Sequence, residues 1–159
     1  MVASRPELPL ASLLAEEVRT VEEFVAVLKQ EEVALVTADL EPLLILAGRK
    51  GEFTAKLNAL VERREAILKS GGLPPGREGM SRIAATDKSG QSGKLWTQLL
   101  SLATQARDQN EINGKLIALH FQHNQRALNT LMEAAGIAMT YGADGQQRSG
   151  GSGRLLGSA

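Results

Sequence analysis

The chain has no cysteine, which excludes disulfides, thiolate nucleophiles and thiolate metal sites, and it suits a reducing compartment. Aromatic residues are almost as scarce: three Phe, one Tyr and one Trp leave few rings on which nucleobases could stack. An excess of one charge is missing too. Eighteen Lys and Arg cancel eighteen Asp and Glu, so no overall field draws in nucleic acid or an anionic membrane surface. Residues 1–69 carry nine cations against twelve anions and the remainder nine against six, an imbalance too small to name a partner. No run approaches the roughly 18 apolar residues of a membrane span. The opening MVASRPELPLASLLAEEVRT lacks the uninterrupted apolar core and small-residue cleavage site of a secretory signal. These absences lead us to expect a soluble, cytoplasmic protein without membrane insertion. Its 159 residues fit one domain with a sizeable core.

What is present is helical rhythm. Leu10, Leu14, Val18, Val21, Val25, Leu28 and Leu35 recur at intervals of three, four and seven, with Glu32 at an intervening seam position, and predict a helix over about 10–36. At TADLEP the rhythm breaks. Asp39 suits an N-cap and Pro42 a first helical turn, so a second helix is expected over about 40–69. Its seam is Leu43, Leu46, Lys50, Phe53, Leu57, Leu60, Arg64 and Ile67. The simplest reading of the two cations is that their stems line the interface while their heads reach water.

Residues 70–93, SGGLPPGREGMSRIAATDKSGQSG, read as a glycine-rich linker, with MSRIAAT able to form a turn or two. A third helix is expected over about 94–135. Leu95, Leu99, Leu102 and Ala106 form its seam, Trp96 and Ala103 widen it, and Leu116, Ile117, Leu128, Leu131 and Met132 resume it. At about 1.5 Å per residue the three helices would measure roughly 40, 45 and 63 Å. The third outruns the others, so it either bends, with Gly114 as the weak point, or projects past the hairpin. From residue 142 onward glycine outweighs apolar content, which predicts a flexible, disordered tail. The fold class expected is therefore all-α: an elongated antiparallel bundle or coiled-coil hairpin with a long third helix, forming one helical domain to residue 141.

Catalytic patterns are absent. SGQSGKL lacks the first glycine and the Ser or Thr of a phosphate-binding loop, and no Gly-x-Ser-x-Gly occurs. His120 and His123 share a face but lack further ligands at helical spacing, so we expect neither metal nor other cofactor. We read no enzyme here. An interaction protein remains, and one stretch bears on it. In NEINGKLIALHFQHNQRALNTL, Asn110, Asn113, Gly114, His120 and Asn124 interrupt the stripe that should be buried. A buried, unpaired Asn costs about 1–3 kcal/mol. Either these residues face solvent, or they meet a second chain that supplies partners. Gly114 would then mark a bend or a close backbone contact.

The stretch RDQNEINGKLIALHFQHNQRALNTL, followed by YGADGQ, resembles the C-terminal half of the FlgN family of flagellar type III export chaperones. The resemblance rests on Asn110, Asn113, Gly114, Leu116, Ile117, Asn124, Ala127, Leu128 and Leu131, and on Tyr141, Gly142, Gly145 and Gln146. It implies a helical chaperone that binds the C-terminal amphipathic helices of the hook–filament junction proteins FlgK and FlgL. Such binding would prevent premature assembly and deliver them to the export gate. Together with the interrupted stripe, it points to Asn110, Asn113, Gly114, Leu116, Ile117, His120, Asn124, Leu128 and Leu131 as the client-binding residues. Tyr141 either folds back on Met132 or Met139 or protrudes as an anchor, and the resemblance favours the anchor, docked on the export-gate protein FlhA. The alternative is a structural coiled coil that only self-associates, and whether the free chain forms a homodimer stays open.

Overall fold

The computed structural model describes residues 7–136, 139–141 and 147–149, with backbone alone for residues 7 and 8 and for the strand residues. The chain divides into two compact units, Met1–Leu116 and Ile117–Ala159. The first holds α1 (Glu7–Val36), α2 (Glu41–Ser70), α3 (Gly76–Thr86) and the first part of α4 (Gln91–Ala134). The fold is all-α, and the three long helices begin and end within a few residues of where the periodicity puts them. No helix among the described residues is long and apolar enough to cross a membrane.

Each connection has a local cause. After α1, Ala38 takes the left-handed conformation at φ 54°. The Asp39 N–H then donates to the Ala34 carbonyl at 2.9 Å and the Ala38 N–H to that of Leu35 at 3.3 Å, closing the helix. The left-handed state costs a non-glycine residue roughly 1–2 kcal/mol. Asp39 Oδ1 accepts the Glu41 N–H at 3.3 Å, and Pro42 lies in the first turn of α2, where no helical N–H is lost. At the end of α2, Gly72 supplies the left-handed residue at φ 69°. The Leu73 N–H bonds back to Leu68 O at 2.9 Å.

The expected linker is largely helix. Residues 76–86 form three turns of α3, and the glycines there serve packing as much as turning. A Cβ on Gly79 would stand 2.0 Å from the Pro74 carbonyl oxygen and 3.2 Å from the Leu68 methyls, so only glycine lets α3 lie this close. Met80, one residue on, is completely buried. Asp87 then joins α3 to α4. One carboxylate oxygen accepts the Ser89 N–H at 2.9 Å and the Ser89 hydroxyl at 2.6 Å, and the other accepts the Ser92 N–H at 2.8 Å in the first turn of α4.

The main core contains Leu10, Leu14, Val18, Val21, Val25 and Leu28 of α1, Leu68 of α2, Met80 of α3, and Leu99 and Ala106 of α4. A smaller cluster near the α1–α2 connection joins Val27, Ala34 and Leu46, with Leu43 and Phe53 against them. The seam cations correct the expectation that they reach water. Arg64 is buried and ion-paired with the buried Glu17, and its guanidinium stacks 5.1 Å from the Trp96 ring centroid. Lys50 turns inward to Glu31, 2.9 Å away. Burial pushes the Glu17 carboxyl above its ordinary range, and the Arg64 charge opposes that shift.

In the second unit, α4 continues from Ile117 to Ala134. Beyond it, β1 (Met139–Tyr141) pairs antiparallel with β2 (Gln147–Ser149), setting Met139 opposite Ser149 and Tyr141 opposite Gln147. The tail expected from residue 142 lies outside the described residues except at 147–149.

Candidate functional site

In the first unit, the inward stripe of α4 begins as ordinary core at Leu95, Leu99, Leu102 and Ala106 and then turns polar. Asn113 is 1% exposed. Its amide donates to the Leu28 carbonyl at 2.8 Å and to Glu31 Oε2 at 2.7 Å. Gln109 donates to Glu32 at 2.8 Å and to Asn113 Oδ1 at 3.2 Å. Lys50 donates to both oxygens of Glu31, at 2.9 and 3.2 Å, and to Asn110 Oδ1 at 3.2 Å. Both amide hydrogens and the carbonyl of Asn113 are thus used by its own chain. The lattice links α4 to α1 and α2 through groups that would be costly to bury unpaired.

This corrects one part of the site read from sequence. Asn113 interrupts the apolar stripe because Glu31 and Leu28 of α1 are its partners, and it is not available to another molecule. Asn110 sits on the exposed rim of the same lattice. Gly114 is exposed, and a Cβ there would meet nothing within 4 Å, so no close contact requires glycine at that position. Leu116, half-buried, ends the first unit.

The second unit brings the other candidates onto one helical face. At 100° per residue, Ile117, Phe121, Asn124, Leu128 and Leu131 fall within an arc of roughly 80°. Ile117 is 49% exposed, Phe121 69%, Leu128 38% and Leu131 67%, with Asn124 exposed among them. His120 is half-buried and His123 exposed on the flank. From Ile117 to Gly136 the only Lys, Arg, Asp or Glu residues are Arg126 and Glu133, so the face is weakly charged as well as apolar. Phe121 was absent from the residues singled out by sequence. The four-three-four-three spacing through Ile117, Asn124, Leu128 and Leu131 marks its position as part of the stripe. Among the described residues no cluster of three or more His, Asp or Glu could hold a metal. The Tyr141 backbone lies in β1, while its side chain lies outside the described residues.

A family model described as FlgN protein matches residues 9–149. The structure superposes with a TM-score of 0.64 on a crystal structure from Pseudomonas aeruginosa designated flagella synthesis protein FlgN. The two are 24% identical, and the match covers 84% of this chain and 98% of that one. That likeness concerns the fold. No curated protein matches the chain in sequence.

Proposed function

Because the chain belongs to the FlgN family, we propose that it is a non-enzymatic flagellar export chaperone of the cytoplasm. Its clients are the C-terminal amphipathic helices of FlgK and FlgL, kept from premature assembly and delivered to the export gate, where Tyr141 docks on FlhA. The observation that carries this reading is the exposed stripe Ile117, Phe121, Asn124, Leu128 and Leu131. An amphipathic client helix laid along it buries its own aggregation-prone face and covers these side chains, the helix-in-groove mode of recognition. Asn124 offers the client one polar contact that fixes register. His120 borders the stripe, and within the first unit the lattice of Gln109, Asn110 and Asn113 holds the turns of α4 that end at Leu116.

The test is calorimetric titration of the intact protein with C-terminal segments of FlgK and FlgL. Removing Leu131 from the contact forfeits about 1–2 kcal/mol of burial, and a carboxylate in its place adds desolvation. Leu131→Asp and Leu128→Asp should therefore each weaken client binding at least about tenfold, with helical content unchanged. Unaltered affinity in both variants would remove the stripe from client binding. A structural coiled coil that only self-associates would instead show a concentration-dependent mass without client, lost in the same variants. Tyr141→Ala should leave client affinity intact and weaken binding of the loaded chaperone to the cytosolic domain of FlhA.

A further inference from the structure

The exposed stripe on α4 has a repeat that one residue breaks. Ile117, Phe121, Asn124, Leu128 and Leu131 follow one another at four, three, four and three residues, the seam of two heptads on one helix. A client shifted by seven residues carries the side chain that faced Asn124 onto Ile117 or Leu131, and the one that faced Phe121 onto Leu128. Apolar side chains alone tolerate that slip, since each still lands in an apolar hole.

Charge does not break the repeat either. Paired helices ordinarily read partner and register through charges that flank the seam. Here the flanking residues are Ala118, His120, Gln125, Ala127 and Met132, with no Lys, Arg, Asp or Glu among them. At 100° per residue the two charged residues of this stretch, Arg126 and Glu133, fall about 180° and 160° from Ile117, on the far side of α4.

Asn124 is what remains. The amide and carbonyl of Asn113 are taken up within the chain, whereas Asn124 is exposed and its side chain makes no hydrogen bond among the described residues. Water satisfies it in the free protein. Under a client its two N–H donors and its carbonyl lose that water, and only a donor or acceptor on the client replaces it. An amide buried without a partner forfeits roughly a factor of ten in affinity. A client with one polar side chain opposite Asn124 strands two groups if it slips by a heptad: its own against Ile117 or Leu131, and Asn124 against an apolar residue. The two penalties multiply.

Resting on the reading of this stripe as the client site, we propose that Asn124 is its specificity-determining residue. It admits helices whose apolar face carries one uncharged hydrogen-bonding side chain, Asn, Gln, Ser or Thr, at its centre, and it disfavours helices that are apolar throughout. A charged side chain there is excluded, because no opposite charge lies on this face of α4 to pair with it. Asn124 is the third of the five positions, so the requirement falls at the centre of the client's face in either chain direction. Selectivity is obtained at the expense of binding strength, since an aliphatic residue at this position would bury more apolar surface.

The probes are two synthetic helices of equal length, each with leucines at four-three-four-three spacing and with Glu and Lys in equal number on the far side. One has Asn and the other Leu at the centre of the leucine face. Both are titrated by fluorescence anisotropy onto the intact protein, Asn124→Leu and Leu131→Asp. On passing from the parent to Asn124→Leu, the leucine helix should gain at least about tenfold in affinity relative to the asparagine helix, the coupling expected of a paired amide. Asn124 is exposed, so its replacement leaves folding alone, and Asn124→Ala repeats the comparison if Asn124→Leu self-associates. Register is read with a short bifunctional thiol cross-linker from a cysteine beside the central residue of the asparagine helix to Ala118→Cys, Gln125→Cys or Met132→Cys, in a chain with no cysteine of its own. With Asn124 intact the product should form at Gln125→Cys, and Asn124→Leu should spread it to Ala118→Cys and Met132→Cys. A ratio of the two affinities that is the same in parent and variant, or cross-links already spread with Asn124 intact, would overturn the proposal. Those results differ from a failure of the stripe itself, in which Leu131→Asp leaves the affinity of both helices unaltered and the role of Asn124 falls with it.

Discussion

Asn113→Asp changes one amide into a carboxyl of the same size at the centre of the polar lattice, where exposure is 1%. The substitution removes both donated bonds, at 2.8 Å to Leu28 O and at 2.7 Å to Glu31. A neutral bond contributes about 1 kcal/mol and one to a charged group about 1.5–3 kcal/mol, so about 3 kcal/mol is lost before any repulsion. An ionised Asp would then face Glu31, and two like charges about 4 Å apart repel by about 4 kcal/mol at an effective dielectric of 20. Lys50 offsets part of this, and protonation of the new carboxyl limits the rest. The expected loss near pH 7 is about 3–5 kcal/mol, or about 6–20 °C in Tm for a domain of this size. The folded-state pKa of the introduced Asp is raised above its unfolded value of about 3.9. What stability it retains is therefore fully present below that value and is lost as pH rises through the raised one. The deficit against the parent should accordingly be smaller near about pH 4.5 than near pH 7. Urea unfolding followed by circular dichroism at both pH values measures it. A deficit under about 1 kcal/mol at neutral pH, or one of the same size at both, would mean that the lattice does not hold α4 in solution.

Asp87 is held down to about 2, first by the Ser89 hydroxyl and then by the Ser92 N–H, so its contribution is present above the ordinary carboxylate range and lost as pH falls through about 2. Asp87→Asn should flatten the acid limb of a thermal-stability profile over that window, and an unchanged limb would remove the cap from the account. Two glycines should respond oppositely to alanine. Gly114→Ala, with open space around it, should raise stability by about 1 kcal/mol. Gly79→Ala, whose Cβ would collide with the Pro74 carbonyl, should lower Tm by several degrees and release Met80 from the core. Thermal melts of the pair decide both.

The long helices were legible because their seams repeat with the helical period, and nearly every seam aliphatic in α1 is buried in the structure. The connection from 70 to 93 was not, because composition cannot distinguish a glycine that bends the chain from one that lets a helix approach. Gly72 does the first and Gly79 the second. The polar positions were harder still. Asn113 and Asn124 sit in one stripe eleven residues apart and look alike in sequence. Asn113 faces Glu31 and the Leu28 carbonyl, and Asn124 is exposed. Only the side chains that α1 presents separate them, and those are set by a hairpin register that no local pattern states.

That register has a physical source, which yields a further prediction. Glu17 and Glu31 stand fourteen residues apart on α1, and Lys50 and Arg64 fourteen apart on α2, so the pairs Glu17–Arg64 and Glu31–Lys50 share one antiparallel alignment. Sliding α2 by one turn would set the Glu17 carboxylate against Leu60 or Leu68, where burial is costly and no cation answers it. The pair therefore selects the register even if it adds little net stability. Its two partners are buried, while Glu17 Oε1 and Arg64 Nε find no hydrogen-bond partner among the described residues. Removing one partner strands the other charge, so Glu17→Leu or Arg64→Leu alone should cost about 3–5 kcal/mol, whereas the double variant should cost little or gain about 1–4 kcal/mol. Alignment is read by cysteine pairs, since the chain has none of its own. Glu16→Cys with Arg63→Cys, joined by a short bifunctional thiol cross-linker, reports the native register, in which Arg63 Nη1 lies 3.7 Å from a Glu16 carboxylate oxygen, and Glu16→Cys with Ala59→Cys reports a one-turn slip. In the parent only the first pair should cross-link readily, and in the double leucine variant the second should gain at the expense of the first. If the leucine variant keeps the native cross-link alone, register is set elsewhere. If it loses as much stability as the two single changes together, the buried pair is a net stabiliser and the selection argument fails.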